Sequence, residues 1–420
     1  MSSFSFIHTA DLHLDSPFSA LRLEHPELAS RLRSATFEAF DRIIALCIEK
    51  AVDFLLVAGD IYDGTDRSLR AQVRFRDGLG RLLDAGIESF VVHGNHDPLD
   101  SWSSSLDWPE GVHIFGDRIE TLEVRRKGEL LACIQGLSYP KREERRNLAH
   151  FFKRESEAFQ IGLLHANVGS GTGHEPYAPC SLEDLFRSGM DYWALGHVHQ
   201  KRTLSHGPPF ILYPGNTQGR NIRETGEKGC YLVRVGDDRG VEAQFFATDV
   251  VRWGNLEVPI KNLLTEQDLM NALDRSCREV AETSSGRPAI VRVHLTGPGP
   301  LYPILQKNQT VPDLIEITQD LGLSFTPPVY VEQLRSRVRP ESDLNTWSEK
   351  EDFLGELLRT SGELSKNTHI RELLEPDLSP LFQDPRVRKF IETPDGAKLR
   401  ELLRRAEELC ADRLGGEAAE

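Results

Sequence analysis

The chain of 420 residues lacks the features that mark several protein classes. Its six cysteines are widely separated and form no Cys-x-x-Cys pair, which argues against a disulfide framework and a cysteine-based zinc site. No apolar run reaches the length of a membrane span, and the first residues show no secretory signal pattern. We therefore expect a cytoplasmic protein without a membrane segment.

The chain also lacks an excess of positive charge, because its net charge is −15. A basic surface that coats nucleic acid along the whole protein is thus disfavoured. A nuclease remains compatible with this charge, since divalent metals and a local group of arginines attract phosphate where the overall field does not.

Short apolar runs predict buried strands in the first half of the chain, at residues 4–8, 54–58, 90–92, 161–164 and 192–195. Helical patterns at 26–51 and 68–85 separate the first three runs. This alternation predicts β-α-β crossovers and a mostly parallel sheet, within an α/β domain over residues 1–249. Ligands gather at the carboxyl ends of strands in such sheets.

The pattern changes near residue 250. Two helical and two strand-like segments predict a small α+β domain over 250–335, at residues 266–280, 289–295, 312–321 and 329–332. The segment 336–420 is charged and helical in pattern, and its last helix carries an apolar stripe of Leu402, Leu403, Ala406 and Leu409.

Acidic, Asn and His residues follow five of the apolar runs, in the order Asp11-x-His13, Gly59-Asp60, Gly94-Asn95-His96-Asp97, His165 and Gly196-His197-x-His199. Residues i and i+2 of an extended segment point the same way, so each x-spaced pair can grip one ion. Each group alone is a weak signal, because such residues are common in turns and helix caps. Five groups at strand ends together predict a metal site.

The residue types indicate which metals the site would take. A binuclear phosphoesterase centre needs a carboxylate that bridges two cations, and Asp60 is the natural candidate. Asn95 would add a neutral oxygen ligand. Oxygen and imidazole ligands without thiolate suit manganese, iron or zinc better than calcium.

The run D-x-H, G-D, G-N-H-D, H, G-H-x-H resembles that of the calcineurin-like metallophosphoesterase superfamily, over about the first half of the chain. Finer detail resembles the SbcD-type DNA double-strand-break repair nucleases, in particular their YhaO-like bacterial branch, in the segments His8-Thr9-Ala10-Asp11-Leu12-His13-Leu14-Asp15-Ser16-Pro17, Gly59-Asp60-Ile61-Tyr62-Asp63 and Tyr213-Pro214-Gly215-Asn216-Thr217-Gln218-Gly219-Arg220. The resemblance implies a β-sandwich flanked by helices, a small α+β capping domain that recognises DNA and a helical C-terminal segment.

The resemblance also implies roles for the site residues. One metal would be held by Asp11, His13, Asp60 and His199, and the other by Asp60, Asn95, His165 and His197. It favours Arg220 and Arg223 as contacts to the phosphodiester backbone, although ordinary solvated loop charge is an equally good interpretation of each.

His96 would not bind metal. Its side chain points away from that of Asn95, so it can face the substrate phosphate while Asp97 holds its ring. A protonated imidazole there could stabilise the transition state or protonate the leaving oxygen.

These observations predict a metal-dependent DNA phosphodiesterase that acts in DNA repair, with water activated by two metal ions as the nucleophile. The family would supply 3′ to 5′ exonuclease activity, manganese, a homodimer and an SbcC-type coiled-coil ATPase partner. Some relatives carry a His at the position of Asp63, which leaves the balance of exonuclease and endonuclease action open.

Two alternatives remain at this point. A small-molecule or cyclic-nucleotide phosphodiesterase shares the metal motifs but leaves the residues beyond 249 without a purpose. A non-catalytic scaffold subunit of an ATPase complex is the other alternative, and the intact His96 argues against it.

Overall fold

The computed structural model describes residues 2–16, 18, 26–64, 68–101, 106–169, 177–340, 344–383 and 394–415. The chain divides into two compact units. The first comprises Met1–Asn255, Val280–Val291 and Leu323–Glu332, and the second comprises Leu256–Glu279, Arg292–Gly322 and Gln333–Glu420. The domain limits expected from the sequence, 1–249, 250–335 and 336–420, stay predictions.

Twelve described strands and three described α-helices form most of the first unit. The strands are β1 (Phe4–Thr9), β2 (Phe54–Ala58), β3 (Glu88–Val92), β4 (Val112–Ile114), β5 (Glu120–Arg126), β6 (Glu129–Leu137), β7 (Phe159–His165), β8 (Tyr192–Gly196), β9 (Arg202–Ser205), β10 (Phe210–Tyr213), β11 (Gly229–Val235) and β12 (Val241–Ala247). The helices are α1 (Pro26–Lys50), α2 (Leu69–Asp84) and α3 (Leu182–Arg187), with a 3-10 helix at Leu148–Phe151.

The strands form two six-stranded mixed sheets, in the orders β12-β11-β1-β2-β3-β4 and β5-β6-β7-β8-β10-β9. Strands β1 to β4 pair in parallel, as do β6, β7 and β8. Apolar residues from both sheets share one core, which includes Phe6, Phe54, Ile134, Leu163 and Tyr192. The expected α/β fold, a β-sandwich flanked by helices, is confirmed.

Helices α1 and α2 cover the outer face of the first sheet. The amino end of α2 is capped by Ser68, whose side chain accepts a hydrogen bond of 3.0 Å from the Ala71 amide. Phe75, Leu79 and Leu82 are buried one turn apart against that sheet. Burial of each large apolar side chain contributes about 1.5–3 kcal/mol, so this packing holds the strand ends in place.

A three-stranded sheet follows in the order β13-β14-β15, formed by β13 (Arg252–Pro259), β14 (Ala289–Pro298) and β15 (Val329–Arg339). Helices α4 (Glu266–Thr283), α5 (Tyr302–Leu305) and α6 (Thr310–Leu323) connect these strands. Strand β15 continues to Arg339, well beyond the run 329–332 that the sequence predicts. The predicted run ends early because arginines replace apolar residues in the second half of the strand.

The remaining described helices are α7 (Leu344–Ser348), α8 (Phe353–Lys366), α9 (Ile370–Gln383) and α10 (Gly396–Gly415). The apolar stripe expected on the last helix lies on α10. Leu402 and Leu409 are 43% and 46% exposed, whereas Leu399 of the same helix is buried. Within the described ranges, no helix combines the length and apolar character that crossing a membrane requires.

Candidate metal centre

The carboxyl ends of β1, β2, β3, β7 and β8 deliver the expected polar residues to one place in the first unit. The loops after β1 and β2 are held together by backbone hydrogen bonds of 3.0 Å, from the Asp11 amide to the Gly59 carbonyl and from the His13 amide to the Asp60 carbonyl. The His197 amide, at the end of β8, lies 3.2 Å from each Asp11 carboxylate oxygen. The five sequence groups therefore converge.

These loops adopt backbone conformations that ordinary residues rarely take. The φ angles of Asp11, His13 and Asp60 are 51°, 43° and 49°, in the left-handed region. Such conformations cost on the order of 1–3 kcal/mol each and are typical of functional sites. Gly94 is required for another reason, because a Cβ there would collide with the Asp60 carboxylate.

Asp11, His13, Asp60 and His199 form the first group of donors, whose ligand atoms lie within 4.8 Å of one another. Nε2 of His13 is 3.2 Å from Nε2 of His199. His199 donates its Nδ1 proton to Glu224 Oε1 at 2.7 Å, and His13 Nδ1 lies 3.5 Å from Asp63 Oδ1. His199 therefore presents a lone pair at Nε2, and His13 Nε2 lies beside it, so a cation would take the place of the hydrogen bond between the two rings.

Burial lowers the pKa of His13 to about 3, so its imidazole is neutral, as a metal ligand must be. The geometry of the first group and the neutral His13 ring thus suit a divalent ion, whereas burial raises the pKa of Asp11 and opposes the charged carboxylate that a metal ligand provides.

Asn95, His165 and His197 form the second group. Asn95 Oδ1 lies 3.1 Å from His165 Nε2 and 3.2 Å from His197 Nδ1. His165 donates its Nδ1 proton to the Ala58 carbonyl at 2.9 Å. Burial opposes protonation of the ring, but Asp60 and Asp11 raise the pKa of His165 to about 9, so Nε2 carries a second proton. A cation that displaces this second proton would lie between the His165 nitrogen and the Asn95 oxygen.

Asp60 lies between the two groups. Its Oδ2 is 3.8 Å from His13 Nε2 and 3.4 Å from His165 Nε2. Its Oδ1 accepts a hydrogen bond of 2.9 Å from the His96 amide. Burial would raise the pKa of Asp60, but His165, His96 and His13 hold it well below its usual range. Asp60 therefore meets the steric and ionic requirements of a bridge.

The ring of His96 contacts a different carboxylate from the expected one. His96 Nδ1 lies 3.0 Å from Asp63 Oδ1. The Asp97 carboxylate, which we expected to hold this ring, instead accepts hydrogen bonds of 2.8 Å from the Ile61 and Gly94 amides, because it folds back onto the turn. Burial opposes protonation of His96, but Asp63 and Asp60 raise its pKa above the ordinary value.

We expected Arg220 to contact the phosphodiester backbone. Its guanidinium instead lies among the carboxylates that surround the two donor groups. Its Nη1 donates to Asp63 Oδ2 at 3.2 Å, and its Nη2 lies 3.4 Å from Glu224 Oε1. The guanidinium is 13% exposed. Arg220 thus connects the carboxylate at His96 with the carboxylate at His199, and its expected contact with the phosphodiester backbone stays a prediction.

Glu224, like Asp63, lies in the site although the sequence did not indicate a role for it. Its Oε1 accepts from His199, and its Oε2 accepts from the Arg220 amide at 2.7 Å and from Asn216 Nδ2 at 3.0 Å. Burial would raise its pKa, but His199 and Arg220 lower it below the ordinary value. The mostly polar run from Asn216 to Glu224, which begins shortly after the end of β10, could have indicated a role for this segment in the site.

Arg223 is exposed. Among the described residues, its guanidinium has no hydrogen bond or ion pair, so its charge can act on a ligand. Its expected role at the phosphodiester backbone stays a prediction.

Two family models match the chain. A model described as calcineurin-like phosphoesterase matches residues 4–201, which include every candidate ligand. A second, described as the middle domain of metallophosphoesterase YhaO, matches residues 253–339.

Similar proteins support the same family. Metallophosphoesterase YhaO of Bacillus subtilis is 37% identical over 326 residues, which cover 76% of this chain and 78% of that protein. One component of the nuclease SbcCD from Bacillus subtilis is 26% identical, and the match covers 52% of this chain and 63% of that component. DNA double-strand break repair protein Mre11 of Aeropyrum pernix is 26% identical, with 54% and 56% covered.

The first donor group and the helix-flanked sandwich fit a metallophosphoesterase, the class to which both family models point. The chain belongs to the calcineurin-like metallophosphoesterases and, within them, to the YhaO-like branch. Members of this family are metal-dependent phosphoester hydrolases with a dinuclear divalent centre.

Proposed function

We propose that the chain hydrolyses phosphodiester bonds of DNA at this centre. The observation that carries the proposal is the pair of donor groups that share Asp60, with His96 and Asp63 beside them. The names of two relatives, a nuclease component and a DNA double-strand break repair protein, support DNA as the substrate.

Asp11, His13, Asp60 and His199 would hold one ion, and Asp60, Asn95, His165 and His197 the other. We propose manganese for both. Bound ions would supply charge neutralisation of the phosphate and a water acidic enough to attack near neutral pH.

His96 would act on the leaving group. The Asp63 carboxylate fixes its Nδ1 at 3.0 Å and favours the protonated ring, so Nε2 can donate a proton to the departing oxygen. A positioned general acid contributes about 10²–10⁴ in rate. Arg223 would contact the substrate backbone, and Asp97 would hold the loop that carries His96.

The finer features implied by the resemblance belong to the same proposal. They are 3′ to 5′ exonuclease action with possible endonuclease action, a role in DNA repair in the cytoplasm, a homodimer and an SbcC-type coiled-coil ATPase partner. The segment 250–335 would recognise DNA, and the segment 336–420 would contribute to partner binding.

The test compares end-labelled duplex DNA, a cyclic nucleotide and a small model phosphodiester as substrates, with manganese, magnesium or chelator present. We expect cleavage of the DNA with manganese and none with chelator. His96→Ala should lose this cleavage, whereas the control His206→Ala, an exposed histidine outside the site, should retain it. Turnover of the cyclic nucleotide with intact DNA would overturn the assignment of DNA as substrate.

A further inference from the structure

One face of the three-stranded sheet collects positive charge within the second unit. Arg292 and His294 lie two residues apart on β14, and Arg335 and Arg337 lie two residues apart on β15, so each pair shares one face of its strand. We call these four residues the arginine face. Strands β14 and β15 are neighbours in the sheet.

The intervening residues point to the core. Val293 and Leu295 of β14 are fully buried, and Leu334 of β15 is 3% exposed. The alternation therefore anchors both strands through their apolar residues and leaves the arginine face on the opposite side.

The four side chains are close enough to act on one another. His294 is buried, and burial followed by the charges of Arg337, Arg335 and Arg292 lowers its pKa below the ordinary value. Glu257 of β13 acts in the opposite direction and is the weakest of these influences. Within the described part of the chain, Nδ1 of His294 has no hydrogen-bond partner.

Two of the arginines have charge available for a ligand. Arg335 and Arg337 are both exposed. Arg335 donates to the neutral Gln333 side chain at 2.9 Å, and among the described residues neither arginine has a carboxylate within ion-pair distance. Arg278, on α4 of the same unit, differs because it is paired with Asp274 at 3.0 Å.

We propose that the arginine face binds the phosphate backbone of DNA, an inference that rests on the proposed function. Charge complementarity carries it: a chain with net charge −15 repels polyanions as a whole, so a phosphate chain can be held only where cations are concentrated locally. All the permanent cations of the face are guanidinium groups, whose planar fork matches phosphate oxygens better than an ammonium group does.

The strand geometry suits an extended ligand. Residues i and i+2 of a strand are about 6.6 Å apart, so Arg335 and Arg337 form a row along β15 rather than a single pocket. A row of backbone contacts carries no base information, and we expect binding without sequence preference.

The test is fluorescence anisotropy of a labelled blunt duplex at several salt concentrations. The full chain is used in the His96→Ala background, so that DNA is bound without being cut. The variant is Arg335→Glu with Arg337→Glu, and the matched control is Arg275→Glu with Arg278→Glu on α4, which changes the net charge equally. Arg335→Gln with Arg337→Gln serves as a milder second variant.

We expect the arginine-face variant to weaken DNA binding by about tenfold or more and to lower the slope of log affinity against log salt by about 2. The glutamine variant should lower the slope in the same direction, and the α4 control should change it little. All variants, placed in a chain with intact His96, should hydrolyse a small model phosphodiester normally. Unchanged affinity and slope in both arginine-face variants would overturn the inference.

The outcomes separate this inference from the proposed function. Weakened binding in a chain whose intact form never cuts DNA would keep the arginine face and reject the nuclease. Normal binding by the variants of a chain that does cut DNA would reject the arginine face alone. An intact chain that hydrolyses the model compound but binds no DNA would reject both.

Discussion

The metal centre and the arginine face hold their charges in opposite ways. At the metal centre, Asp60, His165 and Asn95 are buried, and each polar atom shares its partners with its neighbours. At the arginine face, Arg335 and Arg337 are exposed and make no ion pairs among the described residues. One region is a connected network and the other a row of separate charges.

This difference predicts how strongly a substitution acts in each region. Removal of one partner from a buried network leaves another group unsatisfied, at a cost of about 1–3 kcal/mol and more for a charge. An exposed ion pair contributes about 0–1 kcal/mol and is screened by salt. We therefore expect substitutions at the metal centre to change metal binding and hydrolysis strongly and non-additively. Substitutions at the arginine face should leave hydrolysis unchanged and lower DNA affinity additively and in a salt-dependent way.

The largest effect should come from Asp60→Asn. The amide keeps the size of the side chain but brings less charge to the two ions that Asp60 would bridge, so occupancy of both should fall and hydrolysis should drop to background. Elemental analysis after removal of free manganese measures the first effect. Two retained ions per chain would count against the bridge.

His96→Ala should have the next largest effect and should separate binding from chemistry. Metal content and DNA affinity should remain nearly unchanged, because the His96 ring pairs with Asp63 and packs against the His13 ring but is not one of the proposed ligands. Cleavage should fall by about 10²–10⁴. Near-normal cleavage with manganese would remove His96 from the mechanism.

Glu224→Gln should have a smaller effect on metal binding than Asp60→Asn. It tests whether a residue that contacts only one ligand of the buried network still affects metal affinity. Loss of the carboxylate that accepts the His199 proton should weaken metal binding by about 10–100-fold, as calorimetric titration with manganese would show. The control is Glu227→Gln, three residues along and 46% exposed. Equal affinities in both variants would mean that Glu224 does not position His199.

The smallest effect on hydrolysis is expected from Leu402→Glu with Leu409→Glu on α10. Both side chains are already exposed, so the model phosphodiester should be hydrolysed at the normal rate. If this stripe docks on a partner helix, co-purification with an SbcC-type ATPase should be lost. Retained co-purification would show that the stripe has no part in partner binding.

The sequence predicted the strands that carry the site because local patterns determine them. Residues 54–58 and 192–195 were predicted as strands and lie in β2 and β8, since bounded apolar runs in a sandwich core have few other conformations. Asp11 and His13 come together as the motif order predicts, but not through strand geometry. Both lie beyond the end of β1 at Thr9, in left-handed rather than extended conformations.

The partners of the site residues were harder to predict because they come from distant segments. Asp63 reaches His96 and Arg220 across gaps of 33 and 157 residues, and Glu224 reaches His199 across 25. No periodicity encodes such contacts. Asp97 was the nearest carboxylate to His96 in sequence, but its side chain accepts from the Gly94 amide of its own turn and from the Ile61 amide.

Electron paramagnetic resonance of the wild-type chain loaded with manganese is the most direct test of whether two metal ions share Asp60. One ion would lie on each side of Asp60, and two-metal sites of this kind hold their ions about 3.5–4 Å apart. We therefore expect a spin-coupled dinuclear signal with two manganese ions per chain. The six-line signal of isolated manganese at full occupancy, or a stoichiometry of one, would contradict it.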